Sequence, residues 1–105
     1  MNGTRKSTRA IVYARGVQEA IERQLLACRE YASQQGLTIV AEVAEIKSAV
    51  EVQSSRTRQL FEQIGAHHPD VVLVTDLSRL SRKAAELSAL RQALAECNVQ
   101  IATLA

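Results

Sequence analysis

The feature that most limits the folds open to this chain is a short apolar run, Val71 to Val74, that leads directly into a polar and basic segment. Consecutive valine and leucine residues predict a strand that is buried on both faces, as in a parallel sheet covered by helices. Six of the eight residues in the segment 75–82 are polar. Open parallel sheets bind their ligands at the carboxyl ends of the strands, so this segment is a candidate site.

The candidate site combines one carboxylate, Asp76, with two guanidinium groups, Arg79 and Arg82. A helix that began here would place the two arginines on one face, because they are three residues apart. Guanidinium groups bind phosphate oxygens in pairs, and a neighbouring carboxylate can hold them in position. The pattern favours phosphate chemistry. Composition leaves one alternative open, an ordinary strand-to-helix turn that carries a surface ion pair.

Hydrophobic spacing predicts four strands that alternate with three helices. The strands are expected at residues 10–15, 37–45, 71–74 and 99–104. The helices are expected at about residues 17–35, around Leu60 to Ile64, and along an apolar line from Leu80 to Leu94. Gly36, Gly65 and Asn98 are expected to follow the helix ends, where a left-handed conformation is common. Residues 46–55 lack periodicity and are predicted as a loop.

This order predicts an α/β fold of three layers, α/β/α, around a four-stranded, mainly parallel sheet with strand order 2-1-3-4. Strands one and three are then neighbours, and their diverging connections open a crevice bordered by Arg15 and by residues 76–82. A chain of 105 residues forms one domain. We expect a basic flexible tail at residues 1–9 and the folded domain at residues 10–105.

Composition excludes several functional classes. Apolar residues make up 47% and charged residues 23%, as in ordinary globular proteins. Aromatic residues make up only 3%, which argues against a surface that stacks single-stranded bases. Cys28 and Cys97 lack the spacing of metal ligands, and we expect small buried residues in a reducing compartment. No cofactor, metal, signal peptide or membrane-spanning run is predicted, so a cytoplasmic protein is expected.

Three segments together resemble the catalytic domain of serine recombinases, the resolvase and invertase family. They are YAR at residues 13–15, IERQL with ACREYA at residues 21–32, and VTDLSRLSR at residues 74–82. The similarity runs from about residue 10 to residue 104. In that family, a serine two residues beyond the arginine of the first segment attacks a DNA phosphodiester and forms a covalent link. Cations, without a metal in the usual picture, neutralise the transition state.

The resemblance implies a set of residues for phosphate and DNA. Asp76 matches the acidic residue that orients the family's arginines, and Gln24 matches a glutamine that lines the site. Tyr13 matches the tyrosine of the first strand. Arg58 competes with Arg56 for the place of the middle-helix arginine. The expected phosphate- and DNA-binding residues are Arg15, Gln24, Arg56, Asp76, Arg79 and Arg82.

The segment after Arg15 departs from the family pattern. It reads GVQEA at residues 16–20, shorter than is usual, and it places Val17 where the family has its serine. Valine has no nucleophilic atom, and no serine, threonine or cysteine lies between Arg15 and Cys28. Cleavage by the family's mechanism is therefore not expected. The family's following long helix and DNA-binding domain are also expected to be missing, so reading of the major groove is not expected.

The expected function is that of a resolvase-like domain of a site-specific serine recombinase, involved in DNA recombination or integration by a mobile element. It would be catalytically inactive but keep an arginine-rich phosphate pocket. The expected partners are DNA, bound weakly by the domain alone, and a full-length recombinase or further copies of this chain, with no membrane. Three alternatives stay open: a strand-transfer enzyme with another nucleophile (Ser78, Ser81 or a partner's), a receiver-like signalling domain, and a fold without a ligand.

Overall fold

The computed structural model describes residues 8–46 and 57–104. The strands are β1 (Arg9–Gly16), β2 (Thr38–Ile46), β3 (Val71–Val74) and β4 (Gln100–Thr103). The helices are α1 (Gln18–Gln35), α2 (Arg58–His67) and α3 (Ala84–Glu96), and a short 3-10 turn covers Leu77–Arg79. All strands pair in parallel in the order β2-β1-β3-β4, which confirms the prediction. No helix in the described ranges is both long and apolar enough to cross a membrane.

β1 lies inside the sheet and separates two hydrophobic cores. Val12 faces α1, where it packs with Cys28 and Ala32. Ile11 and Tyr13 face the opposite core, to which α2 and α3 contribute buried leucines. Successive side chains of a strand point to opposite faces of the sheet, so this alternation fixes helices on both sides. The predicted three-layer α/β/α architecture is confirmed.

Pairing with β3 covers only part of β1. β1 pairs with β2 along its whole length, from Arg9 with Thr38 to Gly16 with Ile46. Its pairing with β3 runs only from Ala10 to Val12. Residues 13–16 of β1 therefore extend beyond the β3 ladder. At this edge of the sheet the sequence predicts a crevice between β1 and β3.

Both ends of β1 differ slightly from the predicted boundaries. The strand begins at Arg9, whose N–H donates to Asp70 Oδ2 at 2.8 Å and whose Nη1 donates to the His68 carbonyl at 3.3 Å. These contacts tie Arg9, which the sequence placed in the tail, to the segment before β3. Ile46, expected as the first residue of the loop, instead ends β2, so that boundary is wrong. Residues 1–7 of the expected tail and residues 47–55 of the expected loop lie outside the described ranges.

The predicted end of α2 at Gly65 is wrong. The helix continues to His67, and His68 adopts the left-handed conformation with φ 49° and ψ 60°. The His68 N–H still bonds the Ile64 carbonyl at 2.8 Å. Pro69 follows, and a proline disfavours helical geometry at the residue before it, so the helix ends there. The two other predicted ends are confirmed, because Gly36 and Asn98 take φ values of 71° and 62°.

The two cysteines occupy different environments. Cys28 is fully buried on the inner face of α1, as predicted, and burial raises the pKa of its thiol to about 11. Cys97 is exposed at the end of α3, so its predicted burial is wrong. The core contact at this end of the helix is made instead by Leu94, which is fully buried.

Candidate functional site

The end of β1 is attached to α1 through one buried side chain. Arg15 and Gln24 are only 8% and 4% exposed. The Arg15 N–H donates to Gln24 Oε1 at 3.0 Å, and Gln24 Nε2 donates to the Arg15 carbonyl at 2.8 Å. Gln24 occupies this position because it lies on the buried face of α1 with Ile21 and Cys28. Two of the predicted site residues, Arg15 and Gln24, are therefore in contact, through the side chain of Gln24 and the main chain of Arg15.

The turn from β1 into α1 needs a glycine. Gly16 has φ 143°, a conformation that side-chain-bearing residues rarely adopt. A Cβ atom at this position would lie 3.4 Å from Ala20 Cβ and 3.8 Å from Arg79 Nη1. Gly16 therefore brings the main chain close to Arg79 as it leaves the sheet. Val17 follows as the N-cap of α1, 55% exposed and without a side-chain cap.

Asp76 organises the polar segment after β3. Its carboxylate accepts hydrogen bonds from the Ser78 N–H at 3.0 Å and from the Ser78 hydroxyl. Its Oδ2 also lies 3.7 Å from Arg79 Nε. The Ser78 hydroxyl bond first, and then the charge of Arg79, lower the pKa of Asp76 against the opposing effect of partial burial. Asp76 is thus an anion at neutral pH that both caps the 3-10 turn and anchors one arginine.

Arg79 connects this segment to the end of β1. Its Nη1 donates to the Arg15 carbonyl at 3.3 Å, so that this oxygen accepts from both Gln24 and Arg79. The side chain of Arg79 as a whole is 32% exposed. Its Nε is buried without a hydrogen-bond partner among the described residues. The structure therefore brings Arg15, Gln24, Asp76 and Arg79 into one cluster.

The prediction that Arg79 and Arg82 share one helical face is wrong. α3 begins only at Ala84, and residues 80–83 are not helical. Leu80 is fully buried in the core, while the Ser81 hydroxyl accepts from the Lys83 N–H at 3.0 Å and donates to Glu86 Oε1 at 2.8 Å. A serine side chain that bonds nearby main-chain groups competes with helix formation, and here it precedes the start of α3. Arg82 is exposed in this break.

Of the two candidates for the middle-helix arginine, Arg56 and Arg58, the structure describes only Arg58. Arg56 lies outside the described residues. Arg58 is the first residue of α2, where its Nε lies 3.6 Å from Glu62 Oε2. Both side chains are largely exposed, so this is a surface ion pair within one helix. Arg58 is engaged with its own helix rather than with the Arg15 cluster.

Glu45, which was not among the predicted site residues, is a neighbour of Arg15 in the sheet. Arg15 and Glu45 are register partners in β1 and β2. Val43 and Tyr13, also register partners, belong to the same core, so Arg15 and Glu45 share that face of the sheet. The signal was present in the sequence, because both predicted strands end on a charged residue at the same edge of the sheet.

The cluster offers the guanidinium of Arg79, which is held by the Asp76 carboxylate and the Arg15 main-chain oxygen. Such an arrangement suits a phosphate, whose oxygens can accept from guanidinium donors. Within residues 8–46 and 57–104, no three His, Cys, Asp or Glu side chains are grouped so as to hold a metal ion. The Arg79 guanidinium can supply charge neutralisation and hydrogen bonding to an anion.

Comparisons with known proteins agree with this architecture. The family "Resolvase, N terminal domain" matches residues 4–105. The C-terminal catalytic domain of ISC1926 TnpA, an IS607-like serine recombinase, is 27% identical with a TM-score of 0.77, over 92% of this chain and 70% of that chain. The N-terminal catalytic domain of TP901-1 integrase shares the fold at 21% identity, with a TM-score of 0.79 over 92% of this chain and 77% of that chain. Curated protein sequences give no significant match. The chain therefore belongs to the resolvase N-terminal domain family and has the fold of a serine recombinase catalytic domain.

Proposed function

We propose that this domain binds a DNA backbone phosphate through Arg15 and Arg79, with Arg82 at the rim, and does not cleave the DNA. The observation that carries the proposal is the meeting of Arg79 with the Arg15 main chain at the carboxyl end of β1. The start of α1 lies beside this contact and presents Val17, which has no nucleophilic atom. The pocket would keep the electrostatic part of a strand-transfer centre without its attacking group.

The charges of the pocket favour a phosphate over a neutral ligand. Arg15, Arg79 and Arg82 contribute three positive charges, against the carboxylates of Asp76 and Glu45. Asp76 restrains Arg79 by an ion pair, and the Arg79 side chain stays partly exposed. A restrained guanidinium loses less rotational freedom on binding an anion. Because one pocket makes few phosphate contacts, we expect weak binding with a shallow dependence on salt, a slope of about −0.9 in log affinity against log salt for each contact.

The two nearby serines are poor candidates for a replacement nucleophile. The Ser78 hydroxyl donates to Asp76, and the lowered pKa of that carboxyl makes it a weak base. Ser81 is only 5% exposed, and its hydroxyl bonds the Lys83 N–H and Glu86. Both hydroxyls thus organise the segment between β3 and α3. These contacts support an inactive domain over an enzyme with its own alternative nucleophile.

A receiver-like function finds no support in the geometry. Receiver domains need acidic residues after the first strand to hold a divalent metal beside the phosphoacceptor. Arg15 and Gly16 occupy that end of β1. Asp76, the candidate phosphoacceptor, is bound by Ser78 and by Arg79. The proposed partners therefore remain DNA and a second recombinase chain, either an intact recombinase or another copy of this domain.

The test is the binding of a short duplex DNA, measured by fluorescence anisotropy over a range of salt concentrations. We expect the double variant Arg79→Ala/Arg82→Ala to bind more weakly, with a smaller dependence on salt. The matched control is Arg58→Ala/Arg91→Ala, which removes the same charge from exposed positions on α2 and α3. Equal binding by the parent and the pocket variant, or equal losses in both variants, would contradict the proposal.

A further inference from the structure

Beyond the end of the β1–β3 ladder, the side chain of Gln24 takes the place of β3 as the hydrogen-bond partner of the β1 main chain. The ladder between β1 and β3 ends at Val12, three residues before Arg15. At Arg15, the hydrogen-bond donor and acceptor come from the Gln24 amide, at 3.0 Å to the N–H and 2.8 Å to the carbonyl. Gln24 therefore fixes the main chain at the point where β1 extends beyond its pairing with β3.

The Arg15 carbonyl is also where Arg79 is attached. Gln24 Nε2 and Arg79 Nη1 donate to this same oxygen. The second attachment of Arg79 is longer, 3.7 Å from Nε to Asp76 Oδ2. A shift of the Arg15 carbonyl would therefore displace the Arg15 side chain and also one of the contacts that orient Arg79.

We propose that Gln24 is a positioning residue, which holds Arg15 and Arg79 in their phosphate-binding arrangement through the Arg15 main chain and does not itself bind the phosphate. The amide is 4% exposed, and both its oxygen and its nitrogen are used by Arg15. A direct ligand would need a group that faces the anion. The inference rests on the proposed function of the pocket.

Salt dependence separates a positioning residue from a direct ligand. Gln24→Met keeps most of the buried volume but removes both hydrogen bonds. If Gln24 acts through the arginines, this neutral substitution should weaken duplex DNA binding and also lower the slope of log affinity against log salt, by up to about 0.9 for one lost phosphate contact. Arg79→Ala should lower the slope similarly, and adding it to Gln24→Met should have little further effect.

The control is Gln34→Met, the same substitution at an exposed position of the same helix, and it should leave affinity and slope unchanged. A weaker affinity with the parent's slope in Gln24→Met, or full additivity with Arg79→Ala, would overturn the inference. Gln24→Asn, which keeps the amide on a shorter side chain, serves the same comparison if the methionine variant does not fold.

A measurement without DNA separates this inference from the proposed function. If the parent shows no salt-dependent DNA binding, the proposed function fails. The positioning of Arg79 is then judged from ¹⁵N relaxation of its Nε–H group and from hydrogen exchange at the Arg15 N–H. In Gln24→Met, the internal motion of the Arg79 Nε–H group and the exchange rate of the Arg15 N–H should both be greater than in the parent and in Gln34→Met. Unchanged Arg79 motion would overturn the inference in either case.

Discussion

Val17 is the position where one substitution best tests the local geometry of the candidate site. It is the N-cap of α1, with φ −77° and ψ 165°, and its side chain makes no capping hydrogen bond. The first N–H groups of a helix have no partner within the helix. A serine at the N-cap accepts from the N–H two or three residues ahead, here that of Glu19 or Ala20. Val17→Ser and Val17→Ala therefore differ chiefly in the presence of this bond.

The size of the effect follows from two opposing terms. The Val17 side chain is 55% exposed, so only part of its apolar surface is removed from water. Losing that part costs both variants about 1 kcal/mol or less, since full burial of a valine contributes roughly 1.5–3 kcal/mol. The capping hydrogen bond of the serine adds about 1 kcal/mol to the free energy of unfolding. We therefore expect Val17→Ser to be nearly as stable as the parent and Val17→Ala to be less stable by about the lost burial.

The measurement is urea denaturation of the three proteins followed by circular dichroism. The free energy of unfolding of Val17→Ser should exceed that of Val17→Ala by about 1 kcal/mol. In thermal unfolding, the same difference corresponds to about 4–8 °C for a domain of this size. Equal stability of the two variants would refute the reasoning, because it would mean that residue 17 does not cap α1.

Two further predictions concern the neighbouring turn and the carboxylate. Gly16→Ala should lower the free energy of unfolding by about 1–3 kcal/mol, because alanine is strained at φ 143°. The control Gly65→Ala, within α2 and with no atom near the added Cβ, should raise it by about 0.5–1 kcal/mol in the same urea experiment. The pKa of Asp76 is lowered in the folded protein, so its stabilising contribution is present above the unfolded pKa, about 3.9, and is lost as the pH falls through the folded value. The stability advantage of the parent over Asp76→Asn should therefore shrink on acidification, and an advantage independent of pH would contradict the hydrogen bond from Ser78 and the ion pair with Arg79 that are assigned to this carboxylate.

The sheet could be predicted from the sequence because its strands have simple signals. The run at Val71–Val74 is buried on both faces, and the alternating β2 segment lies at an edge where only Val43 is buried. The alternation of strands with helices then leaves few topologies for a parallel sheet. The strand order could be predicted from these two signals.

The local geometry of the site could not be predicted in the same way. Leu80 continues the apolar line of α3, so periodicity alone extended the helix to the arginines. The Ser81 hydroxyl accepts a hydrogen bond from the Lys83 N–H, which competes with the main-chain bonding of a helix. Hydrophobic periodicity carries no information about such a bond. The contacts of Gln24 were also hidden, because they depend on how far β1 extends beyond β3.

The central claim is that the two arginines after β3, Arg79 and Arg82, contact a DNA phosphate. The most direct test follows the Nε–H signals of arginines by ¹⁵N NMR as a short duplex DNA is added at low salt. We expect the signals of Arg79 and Arg82 to shift and to return as salt is raised, while those of Arg58 and Arg91 stay nearly constant. Equal shifts at all four arginines, or shifts at Arg58 and Arg91 alone, would contradict the account.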